Sequence, residues 1–198
     1  VVYWLIGLNV LIFAAVRLLG QDFWIFLVTY MSMRPNAVVH GWVWTFVTYM
    51  FVHGGFTHIL FNMLGLFIFG SQVERQMGSR EFLLYYLLTG ILAGVFSFGV
   101  YYVTRNYRIA LMGASGALFA VELAYAVFFP NSIIYLWGIL PLRAPVMVLG
   151  YTALELVLSI TSRNSGIAHF THLAGFGMGW TYFLIRFGVN PWKRLTGR

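Results

Sequence analysis

Long stretches without formal charge constrain the fold of this chain more than any other feature. Four stretches contain no Asp, Glu, Lys or Arg, and two more contain a single carboxylate each, Glu122 and Glu155. Roughly 20 apolar residues in a helix cross the hydrocarbon core of a bilayer. We therefore predict six transmembrane helices, named spans one to six in chain order: residues 1–16, 56–73, 82–104, 113–130, 144–160 and 169–185.

The composition supports this interpretation. Of 198 residues, 61% are hydrophobic and 9% are charged, whereas soluble domains carry about 25% charged residues. The sequence predicts an all-α, polytopic membrane bundle, in which residues 1–198 form a single transmembrane core without a large extramembrane domain. The chain begins with Val1 rather than methionine, so we expect an N-terminal extension to be missing. Because no basic segment precedes span one, we expect that span to be retained rather than cleaved as a signal peptide.

Charge and cysteine content exclude several functional classes. The chain has no cysteine, and so it has no disulfide, thiolate metal site or cysteine nucleophile. Its net charge of +7 comes from cations scattered between apolar stretches, which do not predict nucleic-acid binding. With six spans, seven cations lie on the side of the termini and five on the other. This bias predicts cytoplasmic termini, and we expect a bacterial plasma membrane.

Two connecting segments are unusually apolar. Residues 21–55, the first loop, are rich in aromatic side chains, which predicts a partly helical segment embedded at headgroup depth. An ordinary aromatic belt at the ends of spans one and two remains an alternative. Residues 131–140, bracketed by Pro130 and Pro141, are too few to cross a bilayer, and we expect them to lie in the interface or against the bundle.

Polar side chains cluster where the even-numbered spans begin. Span two begins with His58 and Asn62 on one helix face, span four with Ser115, and span six with His169 and His172. A polar group in hydrocarbon is expensive and is retained when it is paired or functional. Because all three spans enter the bilayer from the same side, these groups share one depth, and we expect Ser115, His172, His58 and Asn62 to converge in one pocket.

A serine beside a histidine fits nucleophilic catalysis, in which His172 takes the Ser115 hydroxyl proton and returns it to the leaving amine. We expect no acid at this level, since Glu122 and Glu155 should lie deeper or on other faces. The oxyanion would be stabilised by the Ser115 backbone N–H, Asn62 and His58. Gly113 leaves that backbone room.

Small residues would let the spans that carry these groups approach closely. Gly116 in span four, and Gly175 and Gly179 in span six, fit fourfold small-residue patterns, which allow helix backbones to touch. His53 and His169, by contrast, are expected to bond carbonyl groups of neighbouring helices.

These motifs resemble the rhomboid family of intramembrane serine proteases. The resemblance rests on three motifs in the family's order, and it covers nearly the whole chain: His58-x-x-x-Asn62, Gly113-x-Ser115-Gly116 and His172-x-x-Gly175-x-x-x-Gly179. It implies that Ser115 is the nucleophile, His172 the base, and His58 and Asn62 the oxyanion stabilisers. It further implies single-pass transmembrane proteins as substrates, contact with membrane lipids, and no metal or cofactor.

The chain departs from the family pattern in supporting positions. Phe119 stands where the family often has a tyrosine that stacks on the catalytic histidine; it can stack but cannot donate a hydrogen bond. Trp44 is followed by Thr45 where an arginine is common. These differences leave the reacting groups intact.

Two other functions fit parts of the sequence. The histidines could bind a metal or haem in a membrane protein, because imidazole is a common ligand. A proteolytically inactive rhomboid-like protein that binds transmembrane helices would share the same fold, although the retained Ser115 and His172 favour activity.

Overall fold

A computed structural model describes residues 1–136, 138–161 and 169–197 of the chain. Within these ranges the protein is mostly helical. The segment Phe56–Met77 is one continuous helical rod, because two α-helices are joined through a π-helical turn, Leu66–Gly70. The helices are α1 (Val2–Leu19), α2 (Gln21–Tyr30), α3 (Pro35–Val39), α4 (Thr45–Thr48), α5 (Phe56–Gly65), α6 (Ser71–Met77), α7 (Ser79–Val103), α8 (Ser115–Phe128), α9 (Ala144–Thr161), α10 (His169–Arg186) and α11 (Pro191–Thr196).

Each predicted span contains a helix, and four of the helical segments are long and apolar enough to cross a membrane. These four are α1, the rod Phe56–Met77, α7 and α9. The other two differ for physical reasons. The 14 residues of α8 are only ~21 Å long, and α10 carries two histidines and three glycines, which lower its apolarity. The prediction of a helical membrane bundle is thus confirmed, while the number of six spans stays a prediction.

Helices α7, α8 and α10 form the centre of the bundle, and small residues bring them together. A Cβ atom added at Gly175 of α10 would lie 1.9 Å from the carbonyl oxygen of Gly116 of α8, and one added at Gly179 would lie 3.0 Å from Cβ of Ala120. Backbones this close exclude any larger side chain at the contact. The predicted roles of Gly116, Gly175 and Gly179 in close packing therefore have a direct geometric basis.

Buried hydrogen bonds tie the same three helices together. The Tyr85 hydroxyl of α7 donates to the carbonyl oxygen of Ala120 in α8 at 2.5 Å. Ser97 of α7 and Thr171 of α10 share a hydrogen bond of 2.6 Å between their hydroxyl groups. Because buried hydroxyls without partners are costly, these bonds fix the relative rotation of the helices.

The first loop is partly helical, as predicted, since it contains α2, α3 and α4. Its aromatic rings form a continuous contact chain from Phe26 through Tyr30 and Trp42 to Trp44, with centroids 5.2–5.4 Å apart. Arg34 fixes the loop through a hydrogen bond of 2.8 Å to the carbonyl oxygen of Thr29. This arginine supplies a loop contact although none follows Trp44 in the sequence. The embedding of the loop at headgroup depth stays a prediction.

The segment after α8 differs from the all-α expectation. Strands β1 (Ile133–Leu136) and β2 (Leu140–Arg143) form an antiparallel hairpin, with Ile133 opposite Arg143. The sequence prediction placed residues 131–140 in the interface or against the bundle and included no strands here. Pro141 itself disfavours a regular strand interior. In a two-stranded ribbon both strands are edges, where proline is tolerated. Since Ala144 donates its N–H to the carbonyl of Ser132, the hairpin sets the point where α9 begins.

The contact between Gly116 and Gly175 predicts the effect of adding one methyl group. We expect Gly175→Ala to lower the free energy of unfolding by about 1–3 kcal/mol, because the two backbones must separate. Thermal unfolding in detergent micelles measures this loss. Gly177→Ala is the matched control on the same helix, since a Cβ atom there meets nothing within 4 Å and alanine favours the helix. Equal destabilisation by both substitutions would contradict the close-contact account.

Candidate active site

Ser115 is the first residue of α8, and the turn before it depends on glycine. Gly113 has φ 111°, which strains any other residue. A Cβ atom there would also lie 2.5 Å from Nε2 of His58, and the Gly113 N–H donates to the carbonyl oxygen of Tyr49 at 2.9 Å. The first N–H groups of a helix have no partner within it. Ser115 therefore stands beside backbone donors, at the positive end of the helix dipole.

His172 reaches Ser115 from the neighbouring helix. Its Nε2 atom lies 2.7 Å from Oγ of Ser115, within the range of a hydrogen bond. The Gly116–Gly175 backbone contact lies within a turn of both side chains and sets the separation of α8 and α10. A serine side chain is short, because Oγ is bonded directly to Cβ. Ser115 can therefore contact His172 only if the two helices lie this close together.

Phe119 holds the ring of His172 in place. The two rings are stacked, with centroids 4.6 Å apart and planes 7° from parallel. Phe119 lies one helical turn after Ser115 on α8, and it therefore presents its ring beside the hydroxyl that faces His172. Stacking restricts rotation of the imidazole without a hydrogen bond.

His58 and Asn62 lie across the same cavity. The Asn62 side chain is buried; its Nδ2 donates to the carbonyl oxygen of His58 at 2.8 Å, which uses one of its two amide hydrogens. The ring of His53 packs edge-on against that of His58 at 5.0 Å. Burial, followed by the neighbouring His58, lowers the pKa of His53 to about 3, so that His53 is neutral near pH 7. It packs as an aromatic ring rather than as a charge.

One cavity of about 1100 Å³ joins these groups. Its lining includes Ser115, His172, His58 and Asn62, the four residues expected to converge, and Phe119. Most of the remaining wall is apolar, with contributions from the hairpin and from α9. A cavity of this size admits several side chains of an extended peptide.

Glu155 of α9 also lines this cavity, and the prediction that no acid lies level with the serine and histidine is wrong. Its Oε2 atom lies 2.6 Å from Nδ1 of His169, and its Oε1 atom lies 3.1 Å from Nδ1 of His172. His169, which was expected to bond a carbonyl group, thus pairs with this carboxylate. The sequence carried a signal for it, because a carboxylate in one span and two histidines three residues apart in the next form a natural set of partners.

The same three side chains could hold a metal ion. The ligand atoms of Glu155, His169 and His172 all lie within 4.8 Å of one another, and two imidazoles with a carboxylate are a known zinc donor set. In the structure, however, the carboxylate already lies against both Nδ1 atoms, and Nε2 of His172 lies against Ser115. The described side chains thus also form a chain of direct contacts that ends at Ser115.

Comparison with known proteins adds an independent line of evidence. Residues 40–189 match the family model of the rhomboid domain. The chain is 33% identical over 153 residues to YdcA, a candidate rhomboid protease of Bacillus subtilis, covering 76% of this chain and 69% of that protein. It is 30% identical over 194 residues to RHOMBOID-like protein 12, a mitochondrial protein of Arabidopsis thaliana, covering 88% of this chain and 55% of that protein.

A third relative is named for its activity. The rhomboid protease GlpG of Haemophilus influenzae is 34% identical over 119 residues, which are 59% of this chain and 56% of that protein. The chain spans a little over half of the length of the plant and Haemophilus relatives.

The low pKa of His53 predicts a dependence of stability on pH. His53 binds a proton near pH 3 when folded and near pH 6.5 when unfolded. Between these two values, proton binding therefore stabilises the unfolded chain relative to the folded chain. The contribution of His53 to the free energy of unfolding is therefore fully present above about pH 6.5. It falls as the pH decreases, by up to about 1.4 kcal/mol per pH unit. We expect His53→Leu to flatten the unfolding midpoint between pH 7 and pH 5. The exposed loop residue His40 supplies the control: His40→Gln should leave the decrease unchanged, and an equal flattening would contradict the assignment.

Proposed function

The chain belongs to the rhomboid family of serine proteases, and we propose that it is an intramembrane endopeptidase that cuts transmembrane proteins with a Ser115–His172 pair. One observation carries the proposal: the Ser115 hydroxyl lies 2.7 Å from Nε2 of His172, in a cavity that reaches between the helices of a membrane bundle. A hydroxyl becomes an effective nucleophile when a positioned base removes its proton.

The first chemical step joins Ser115 to the substrate. Oγ attacks the carbonyl carbon of the scissile peptide while its proton passes to Nε2 of His172. The negative charge that develops on the carbonyl oxygen is stabilised by the backbone N–H of Ser115, the remaining amide hydrogen of Asn62 and the imidazole of His58. The absence of a Cβ atom at Gly113 allows His58 to lie against the turn that precedes Ser115.

The second step releases the products. His172 donates its proton to the amine as the C–N bond breaks, which leaves an ester between Ser115 and the new carboxyl terminus. Water, activated by the same imidazole, then hydrolyses the ester and regenerates the hydroxyl. Because water is a reactant, the cavity must be open to an aqueous phase, and the distribution of the cations supports the non-cytoplasmic side as that phase.

Replacement of the nucleophile tests the proposal directly. We expect Ser115→Ala and His172→Ala to lower cleavage of a single-pass transmembrane substrate by roughly 10³-fold or more, and to abolish covalent labelling by a fluorophosphonate. Ser159→Ala on α9 is the matched control, since its hydroxyl bonds only within its own helix in the described structure, and it should retain labelling. Continued cleavage by Ser115→Ala would exclude Ser115 as the nucleophile. A wild-type protein that neither cleaves the substrate nor reacts with the fluorophosphonate would instead be an inactive helix-binding relative.

Substrate selection should follow helix stability. The peptide carbonyls of a transmembrane helix are engaged in internal hydrogen bonds, and a nucleophile reaches one only after local unwinding. Substrates with glycine or proline near the scissile bond unwind at a lower free-energy cost, by about 1 and 3 kcal/mol relative to alanine. We expect a substrate pair that differs by one Leu→Gly substitution to be cut at rates that differ several-fold, in favour of glycine. Equal kcat/KM values in reconstituted vesicles would contradict this part of the mechanism.

A further inference from the structure

We propose that Glu155 is a positioning residue for His172, so that the proposed Ser115–His172 pair works as part of a serine–histidine–glutamate triad. The inference rests on the proposed function and deepens it. Glu155 would hold the imidazole in the tautomer that carries its proton on Nδ1, which leaves Nε2 free to accept the proton of Ser115.

The contacts of the two ring nitrogens define this arrangement. Nε2 of His172 lies 2.7 Å from Oγ of Ser115, and Nδ1 lies 3.1 Å from Oε1 of Glu155. The three groups thus form a line across three helices, α8, α10 and α9. Nδ1 of His172 is buried, and among the described residues it makes no hydrogen bond of good geometry. The carboxylate is therefore near enough to accept from Nδ1 after a small rotation, and catalytic hydrogen bonds commonly tighten only when substrate is bound.

His169 fixes the other oxygen of the carboxylate. Its Nδ1 lies 2.6 Å from Oε2 of Glu155, and its side chain is buried. A carboxylate has two oxygens and can serve two donors, so that His169 orients Glu155 while Glu155 orients His172. A supporting contact of this kind is typical of groups that hold a reactive imidazole in one orientation.

The carboxylate would stabilise the transition state electrostatically. When His172 takes the proton of Ser115, its ring becomes positively charged beside an oxygen 3.1 Å away. In a poorly solvated site this attraction is far larger than in water. It acts on the imidazolium and only weakly on the neutral ring, and it therefore lowers the barrier rather than strengthening substrate binding.

The protons balance without any transfer to Glu155. The Ser115 proton moves to Nε2 as the bond from Oγ to the substrate carbon forms, and it moves on to the amine nitrogen as the C–N bond breaks. The Nδ1 proton stays on His172, and the carboxylate remains ionised in both steps.

A purely structural role for Glu155 is the competing explanation, and α9 makes it a serious one. No residue of α9 after Val148 is buried, so that Glu155 also links the second half of this helix to α10. The test must therefore separate orientation of the imidazole from anchoring of the helix.

Steady-state kinetics of Glu155 variants in reconstituted vesicles make this separation. We expect Glu155→Gln to lower kcat and the rate of fluorophosphonate labelling roughly tenfold to a hundredfold, with KM little changed. This loss is smaller than the roughly 10⁴-fold effect of the acid in soluble triads, because Phe119 also restrains the ring. Glu155→Asp, which keeps the charge, should recover part of the rate. Asp22→Asn, which removes an exposed carboxylate on α2, should match the wild type.

The nitrogen-15 NMR signals of the five histidines give a readout that anchoring alone does not move. We expect His172, identified by loss of its signals in His172→Ala, to carry its proton on Nδ1 in the wild type and on a mixture of both nitrogens in Glu155→Gln. If Glu155→Gln does not fold, Glu155→Asp provides the test. We expect this variant to lose less of kcat and to keep the proton of His172 on Nδ1.

Three results would overturn the inference. Wild-type kcat and tautomer in Glu155→Gln, with Ser115→Ala inactive, would leave a protease whose base needs no carboxylate. Loss of wild-type activity on chelation, with recovery on addition of zinc alone, would mean that Glu155 holds a metal ion. Cleavage by Ser115→Ala would remove the proposed function itself, and the role of Glu155 with it.

Discussion

The centre of the bundle and the proposed Ser115–His172 pair both depend on the contact between two helix backbones. The carbonyl oxygen of Gly116 occupies the space that a side chain at Gly175 would need, so that α8 and α10 lie closer than ordinary side chains allow. Ser115 and His172 can meet only across such a gap, since a serine side chain extends little beyond its own backbone. The small residues take no part in the chemistry themselves, but the close contact that they allow is what lets Ser115 and His172 meet.

Several polar groups of the bundle follow a second rule, which is that a partner on the same or another element matches them. Ser97 pairs with Thr171, Asn62 with the backbone at His58, and Glu155 with two histidines. In hydrocarbon the alternative to a partner is a penalty of several kcal/mol. Partnership across helices therefore specifies which faces meet, whereas apolar contact, being nondirectional, does not.

The sequence predicted the helical segments and the residues of the cavity because both depend on local patterns. Uncharged stretches mark the spans, and polar side chains at the starts of even spans mark a common depth. Glu155 was missed because its level depends on where α9 begins, which the hairpin Ile133–Arg143 sets. The hairpin itself was missed because pairing between two short apolar strands depends on a turn that includes Gly138 with φ 73°, and neither has a strong periodic signature.

The weak burial of α9 has a consequence for the setting in which this chain works. Its outward face is mostly Leu, Val and Ile, among them Leu154, Val157 and Ile160, all at least half exposed, and in a bilayer these side chains contact acyl chains. The thickness of the bilayer acts on the tilt of such a helix, and Glu155 connects that tilt to the imidazole of His172. In the proposed mechanism, lipid composition thereby becomes a variable of the reaction itself: a change in acyl-chain length would act on the proton-transfer step through a single carboxylate.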